Sequence, residues 1–248
     1  MRILLLGGTA EASELARQLA GANIDALFSY AGRTTNPIPQ ALPTRIGGFG
    51  GIDGLLDCFR EEGITHVVDA THPFASRISC NLQAATAQAA LPLITLQRPP
   101  WTPVAGDDWR EVASLDDAVK ALPTDPARVF LAIGRQTIGV FSAAPQHHYL
   151  LRFVDPPEDE PLPLPNATVV VSRGPYRAAD DHALLEEHGV NIVVAKNSGG
   201  SGGAAKLQAA RELALPVIMV ARPARPEGSA GVVLNSPAAV MEHLTAMP

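Results

Sequence analysis

The chain is short of the residues that mark several large protein classes. Only two cysteines, Cys58 and Cys80, stand among 248 residues. No disulfide framework can be drawn from them, which fits a reducing compartment. Neither has a neighbour that would activate a thiolate, so both read as small buried apolar side chains. Positive charge is not in excess: 19 Lys and Arg against 25 Asp and Glu give a formal net charge of −6. That argues against a general nucleic-acid binder and leaves room for a local basic cleft. No apolar run approaches the ~20 residues of a membrane span. The run Met1–Leu6 stops at Gly7-Gly8, with Glu11 close behind, and is too short for a signal core. The expected setting is soluble and cytoplasmic. No Cys/His set has zinc spacing, and the adjacent His147 and His148 would face opposite sides of a strand. Neither a metal nor a flavin is expected.

What is present is an alternation of short apolar runs and helix-like segments. Strands are expected at 2–6, 26–30, 44–46, 64–70 and 92–96, with helices at 10–21, 52–62 and 74–90 between them. Pro99, Pro100 and Pro103 then break the pattern and mark a linker. A second series follows, with strands at 109–112, 128–133, 148–153, 168–172, 190–195 and 216–221. Its helices fit 114–121, 135–143, 178–188, 203–213 and 236–246. Residues 155–165, with five prolines and four acids, read as a solvated loop. Such alternation predicts an α/β protein of two Rossmann-like lobes with parallel sheets and a cleft between them. The expected domains are a dinucleotide-binding lobe over 1–98 and a substrate-binding lobe over 104–248. Whether the final residues return to the first lobe stays open.

Gly7, Gly8, Thr9, Ala10 and Glu11 lie between the first strand and the first helix. Glycines there let backbone approach a phosphate, and the helix start favours an anion. The spacing is not G-x-G-x-x-G, so the motif is a variant, and a plain tight turn stays open. At the end of the second strand a NAD site usually carries an acid for the ribose hydroxyls. Here stand Ser29, Arg33 and Thr34 instead. A guanidinium among hydroxyls suits a 2′-phosphate, which favours NADPH. Gly48 and Phe49, in a glycine-rich run after the third strand, are a further backbone approach to a cofactor.

The fourth strand delivers Asp69, Thr71 and His72 to its C-terminal end, where ligands sit in such sheets. Thr71 is a candidate for orienting the carboxamide of a nicotinamide. His72 is the natural titratable group for positioning cofactor or substrate, or for giving a proton, and Asp69 for orienting it. Solvent protonation competes with that role. In the second half, Arg135, Arg173, Lys196 and Arg222 each follow a strand. Any one of them would pass as a solvated surface base; four at one rim form an anion-binding set. Tyr176, Asn197, Ser198 and Lys206 accompany them.

Three segments together resemble one family: 7–12 (GGTAEA), 69–75 (DATHPFA), and 196–200 (KNSGG) with Lys206 and 216–223 (PVIMVARP). The chain is similar, over nearly its whole length, to the precorrin-6A reductases. The resemblance implies NADPH-dependent reduction of one double bond of the precorrin-6A macrocycle, giving precorrin-6B on the route to cobalamin. It implies a small-molecule tetrapyrrole as partner, with transient contact to neighbouring pathway enzymes and no nucleic acid or membrane. A metal-free and a cobalt-containing substrate both stay open. So do an NADPH-dependent reductase or epimerase of another small molecule, a methyltransferase, and a non-catalytic dinucleotide-binding regulator. An epimerase of the short-chain type is disfavoured, because Tyr30, Tyr149 and Tyr176 lack a lysine four residues on; the Arg33 region speaks against the methyltransferase.

Overall fold

Ile3–Leu6 is buried at every position. A strand that hides both its faces must be covered on both, which requires a central place in a sheet flanked by helices. The computed structural model describes residues 1–32, 36–156, 161–224 and 231–247. Its first series of elements is β1 (Ile3–Leu6), α1 (Ala10–Gly21), β2 (Ala26–Tyr30), β3 (Thr44–Ile46), α2 (Ile52–Glu61), β4 (His66–Asp69), α3 (Ser76–Ala89) and β5 (Leu93–Leu96). The second begins with β6 (Trp109–Val112), α4 (Leu115–Ala121) and β7 (Arg128–Ala132). A 3-10 segment over Arg135–Ala143 follows, then β8 (His148–Phe153), β9 (Ala167–Val171), α5 (Ala178–Glu187) and β10 (Ile192–Lys196). The series closes with α6 (Ala205–Glu212), β11 (Val217–Val220), β12 (Val232–Leu234) and α7 (Pro237–Ala246).

These elements form two units, residues 1–99 with 223–248, and residues 100–222. The first unit holds one sheet in the order β12-β5-β4-β1-β2-β3, every pair parallel. Numbered within the unit this is the 3-2-1-4-5-6 order of dinucleotide-binding folds. The second unit holds the order β6-β11-β10-β7-β8-β9, again all parallel. With β7 as its first strand the order is the same, and β6 fills the sixth place. The sixth strands are thus exchanged along the chain. β5 of the first unit is followed by the edge strand of the second, and β11 of the second by the edge strand of the first. Each exchanged strand leads into a serine-capped helix, with Ser114 and Ser236 accepting from the amides of Asp117 and Ala239.

In the first unit, alternation along the strands divides the core. Ile3, Leu5 and Phe28 join α1 and, through Val240 and Leu244, α7 on one face. Leu4, Leu6 and Leu27 join α2 and α3 on the other, through Leu55, Phe59 and Leu82. In the second unit Phe130, Leu150 and Val193 pack with Leu185 of α5 and Leu207 of α6.

Three expectations are corrected. The second lobe does not extend to residue 248: residues 223–248 belong to the first unit, because β12 pairs with β5. Residues 135–143 form 3-10 rather than α-helix; Gly139 and the β-branched Thr137, Ile138 and Val140 are poor α-formers. Cys80 is exposed on α3, and Cys58 is half-buried with its thiol pushed up, chiefly by burial.

Leu244 is 1 % exposed, so Leu244→Ala should cost about 2–5 kcal/mol, read as a lower urea midpoint at unchanged slope. His147 is fully buried; its Nδ1 accepts from Ala127 N–H at 3.1 Å, and its Nε2 has no partner among the described residues. Burial holds its pKa below the ordinary value, and burial also lowers those of His66 and His148. Below about 6.5 the unfolded chain therefore takes up protons that the folded one refuses. Stability is full above that pH and is lost as pH falls through the depressed folded values. Thermal melts should drop between about pH 7 and 5. His147→Asn, whose Oδ1 replaces Nδ1 as acceptor, should flatten that slope.

Candidate active site

Because every strand pair is parallel, the C-terminal ends of each sheet open on one edge, the edge where ligands bind in such sheets. In the first unit the register aligns Arg45, Ser29, Leu6, Asp69 and Thr95 as one row near that edge, across β3, β2, β1, β4 and β5.

The turn from β1 to α1 is shaped by its glycines. A Cβ on Gly7 would stand 2.0 Å from Phe28 Cζ, so the buried ring excludes a side chain there. Gly8 has φ +124°, with open space where a Cβ would be. Thr9 caps α1: its Oγ1 accepts from Ala12 N–H at 3.1 Å and donates to Ala70 O at 3.0 Å. The helix start is thereby tied to the exit of β4. The first amides of α1 have no intrahelical acceptor and form an anion-favouring end. Glu11 occupies that first turn, where its carboxylate would repel an anion. Arg98, two residues beyond β5, donates to Glu11 Oε2 at 2.6 Å, both side chains being largely buried. The pair brings a guanidinium into a small pocket with Thr9, Thr71 and Gln97.

At the exit of β4, Asp69 is 4 % exposed. Its Oδ1 accepts from Thr71 N–H at 3.1 Å and Thr71 Oγ1 at 2.7 Å, and its Oδ2 from Ser79 Oγ at 2.6 Å. The carboxylate fixes the turn and fastens it to α3. His72 is exposed, and its Nδ1 accepts from Phe74 N–H at 3.2 Å. The neutral ring then carries its proton on Nε2. Asp69, Thr71, His72, Ser79 and Gln97 line a cavity beside the start of α3.

At the exits of β2 and β3, Ser29 is buried and accepts from Arg45 Nη1 at 2.8 Å. The same guanidinium donates to Gly47 O at 3.0 Å and Gly48 O at 3.2 Å, and lies 4.0 Å from the centroid of the Phe49 ring. The expected Arg33 and Thr34 lie outside the described residues.

The second unit carries the other expected set at its own C-terminal edge. Arg135 and Arg173 are exposed past β7 and β9, and Arg173 is 3.0 Å from Asp155. The other three cations brace backbone. Lys196 Nζ donates to Ile133 O at 2.8 Å and Thr137 Oγ1 at 3.0 Å, and burial pushes its pKa down. Lys206 donates to Gly203 O, with its ammonium 4.8 Å from the Trp101 ring centroid. Arg222 donates to Asn197 O at 2.8 Å and Ser198 O at 3.0 Å. The Asn197 side chain in turn exchanges two hydrogen bonds with the Trp101 backbone. The ring of Tyr176 lies under the Arg152 guanidinium, which pairs with buried Asp181.

Sequence reading missed Arg45, Arg98, Ser79 and Trp101. Arg98 follows β5 as Arg222 follows β11, so the base-after-strand pattern applied in the second half would have found it. Arg45 carried no such signal, being inside a three-residue strand.

The strand order and the glycine turn at the start of α1 define the class: a Rossmann-type α/β protein built twice in one chain. The chain belongs to the family described as precorrin-6x reductase CbiJ/CobK, whose model matches residues 2–245. It is 59 % identical over 225 residues to the precorrin-6A reductase of Rhodobacter capsulatus, covering 91 % of this chain and 89 % of that one. It is 51 % identical over 222 residues to the precorrin-6A reductase of Sinorhizobium sp, covering 89 % and 85 %. A solved structure described as CobK precorrin-6A reductase superposes with a TM-score of 0.94 at 56 % identity, covering 99 % of this chain and 96 % of that one.

Removing the Asp69 carboxylate orphans three donors. Asp69→Ala should lower stability by about 1–3 kcal/mol, measured by urea unfolding. An unchanged midpoint would show that the carboxylate does not brace the turn.

Proposed function

We propose that this protein is an NADPH-dependent oxidoreductase of the cytoplasm that reduces one double bond of metal-free precorrin-6A to give precorrin-6B. The observation that carries the reading is the match to two relatives of that name, at 59 % and 51 % identity over 91 % and 89 % of the chain. The first unit supports the cofactor. Gly8 leaves open space beside the start of α1, where Thr9 Oγ1 takes up the amide of Ala12 and leaves those of Ala10 and Glu11 to an anion. Arg98 offsets the charge of Glu11 where a pyrophosphate would lie. The last residues of β2, Ser29 and Tyr30, include no acid to exclude a 2′-phosphate.

Bound NADPH supplies the hydride; the protein aligns reactants and excludes water. The amides of α1 and Arg98 hold phosphate oxygens. Thr71, set by Asp69, orients the carboxamide from the exit of β4. His72 positions cofactor or substrate through its Nε2–H, with delivery of the proton as its second role. In the second unit, Arg135 and Arg173 take carboxylates of the macrocycle. Lys196, Lys206 and Arg222 act on substrate through the loops that they brace.

Anaerobic incubation with precorrin-6A and NADPH tests the reading. The nicotinamide absorbance should fall in step with a change in the macrocycle spectrum, and only when both are present. No change with precorrin-6A, or turnover confined to the cobalt-containing substrate, would overturn the assignment as written. His72→Ala with wild-type turnover and affinities would remove His72 from the site.

A further inference from the structure

The geometry points to Arg45 as a residue that selects NADPH over NADH, by receiving the 2′-phosphate and offering a flat platform to the adenosine end. This deepens the NADPH reading above and rests on it.

Four observations converge on this side chain. Enzymes that use NAD place a carboxylate at the end of the second strand, where it binds the ribose hydroxyls and repels a phosphate. Here that end carries buried Ser29, and the register sets Arg45 beside it. The guanidinium fills the place from the neighbouring strand, so the sign of the local charge is reversed.

The side chain is also held in one orientation. Nη1 donates to Ser29 Oγ and Gly47 O, and Nη2 to Gly48 O. Of the five N–H groups of a guanidinium, these three are committed. One on Nε and one on Nη2 have no partner among the described residues. Two such donors on one plane match the oxygens of a phosphate.

One face of the guanidinium lies on the Phe49 ring. Phe49 is fixed in turn by the start of α2, where a Cβ on Gly54 would stand 1.7 Å from Phe49 O. Arginine and aromatic planes in contact present a wall on which a purine stacks.

Finally, the surroundings are open. Gly47, Gly48, Gly50 and Gly51 have nothing within 4 Å of where a Cβ would lie. The exits of the two strands meet there, with Gly32 3.6 Å from the Gly47 backbone by the same measure. Four glycines among the five residues 47–51 are costly in backbone entropy, and close approach of a ligand to the backbone gives them a use.

The test is binding of four probes, NADPH, NADH, adenosine 2′,5′-bisphosphate and 5′-ADP, to wild type, Arg45→Gln, Arg45→Lys and Arg33→Gln, by calorimetry. Wild type should prefer NADPH. Arg45→Gln should weaken NADPH and the 2′,5′-bisphosphate by about tenfold to hundredfold, with NADH and 5′-ADP within about twofold. Arg45→Lys, keeping the charge and losing the fork, should recover part of the NADPH affinity. A role in loop support alone would weaken all four probes together, and that result overturns the proposal. An NADPH preference retained in Arg45→Gln and lost in Arg33→Gln overturns it also, leaving the cofactor reading intact. A wild type that binds NADH as tightly as NADPH overturns the cofactor reading itself, and does so before any variant is compared.

Discussion

All strand pairs in both sheets are parallel, and that one constraint orders the rest of the molecule. Parallel neighbours cannot be joined by a tight hairpin, so the chain returns over a face of the sheet, usually as a helix. Helices on both faces bury both sides of the inner strands, and a strand such as Ile3–Leu6 can then hold nothing polar along its length. Chemistry is left with the strand ends. Those ends share a direction, so hydroxyls, carboxylates and guanidinium groups far apart in sequence gather along one edge. In the first unit Arg45, Ser29, Asp69 and Thr95 come together for this reason alone.

The polar residues at that edge are there on condition of being paired. Ser29 and Asp69 are both buried, and each has partners that fit: Arg45 for the hydroxyl, Thr71 and Ser79 for the carboxylate. The largely buried pair of Glu11 and Arg98 follows the same rule. A charge taken from water needs a counter-charge or a set of hydrogen-bond donors in place, so these bonds fix geometry as much as they add stability. Thr9, bonded to Ala70 O, carries the same rigidity from the start of α1 to the exit of β4.

Much of this was legible in the sequence because it is local. Apolar quartets such as 3–6 and 217–220 mark buried strands, and the glycine turn at 7–8 and the Asp-Ala-Thr-His run fall where strands end. What was not legible depends on which strands become neighbours. Arg45 reaches Ser29 only because β3 lies beside β2, and Arg98 reaches Glu11 only because α1 begins near the exit of β5. Nothing in residues 40–50 or 95–100 encodes those adjacencies to a single-sequence reading. β12 escaped notice for a related reason. It has three residues, two of them exposed valines, so it lacks the apolar signature of an inner strand. Its place at the edge of the first sheet then moved the boundary of the second unit.

The exchange of edge strands has a consequence for how the protein comes off the ribosome. Synthesis delivers β1 to β5 first, yet their sheet stays unfinished at the β5 side until Val232–Leu234 emerge. The second unit has every strand it needs once β11 is made, so the half that begins earlier in translation closes later. Through that interval β5 is an open edge, and the α1 face lacks Val240 and Leu244. A nascent chain stalled anywhere between β11 and α7 would therefore present a sticky, half-built N-terminal half for quality control to recognise.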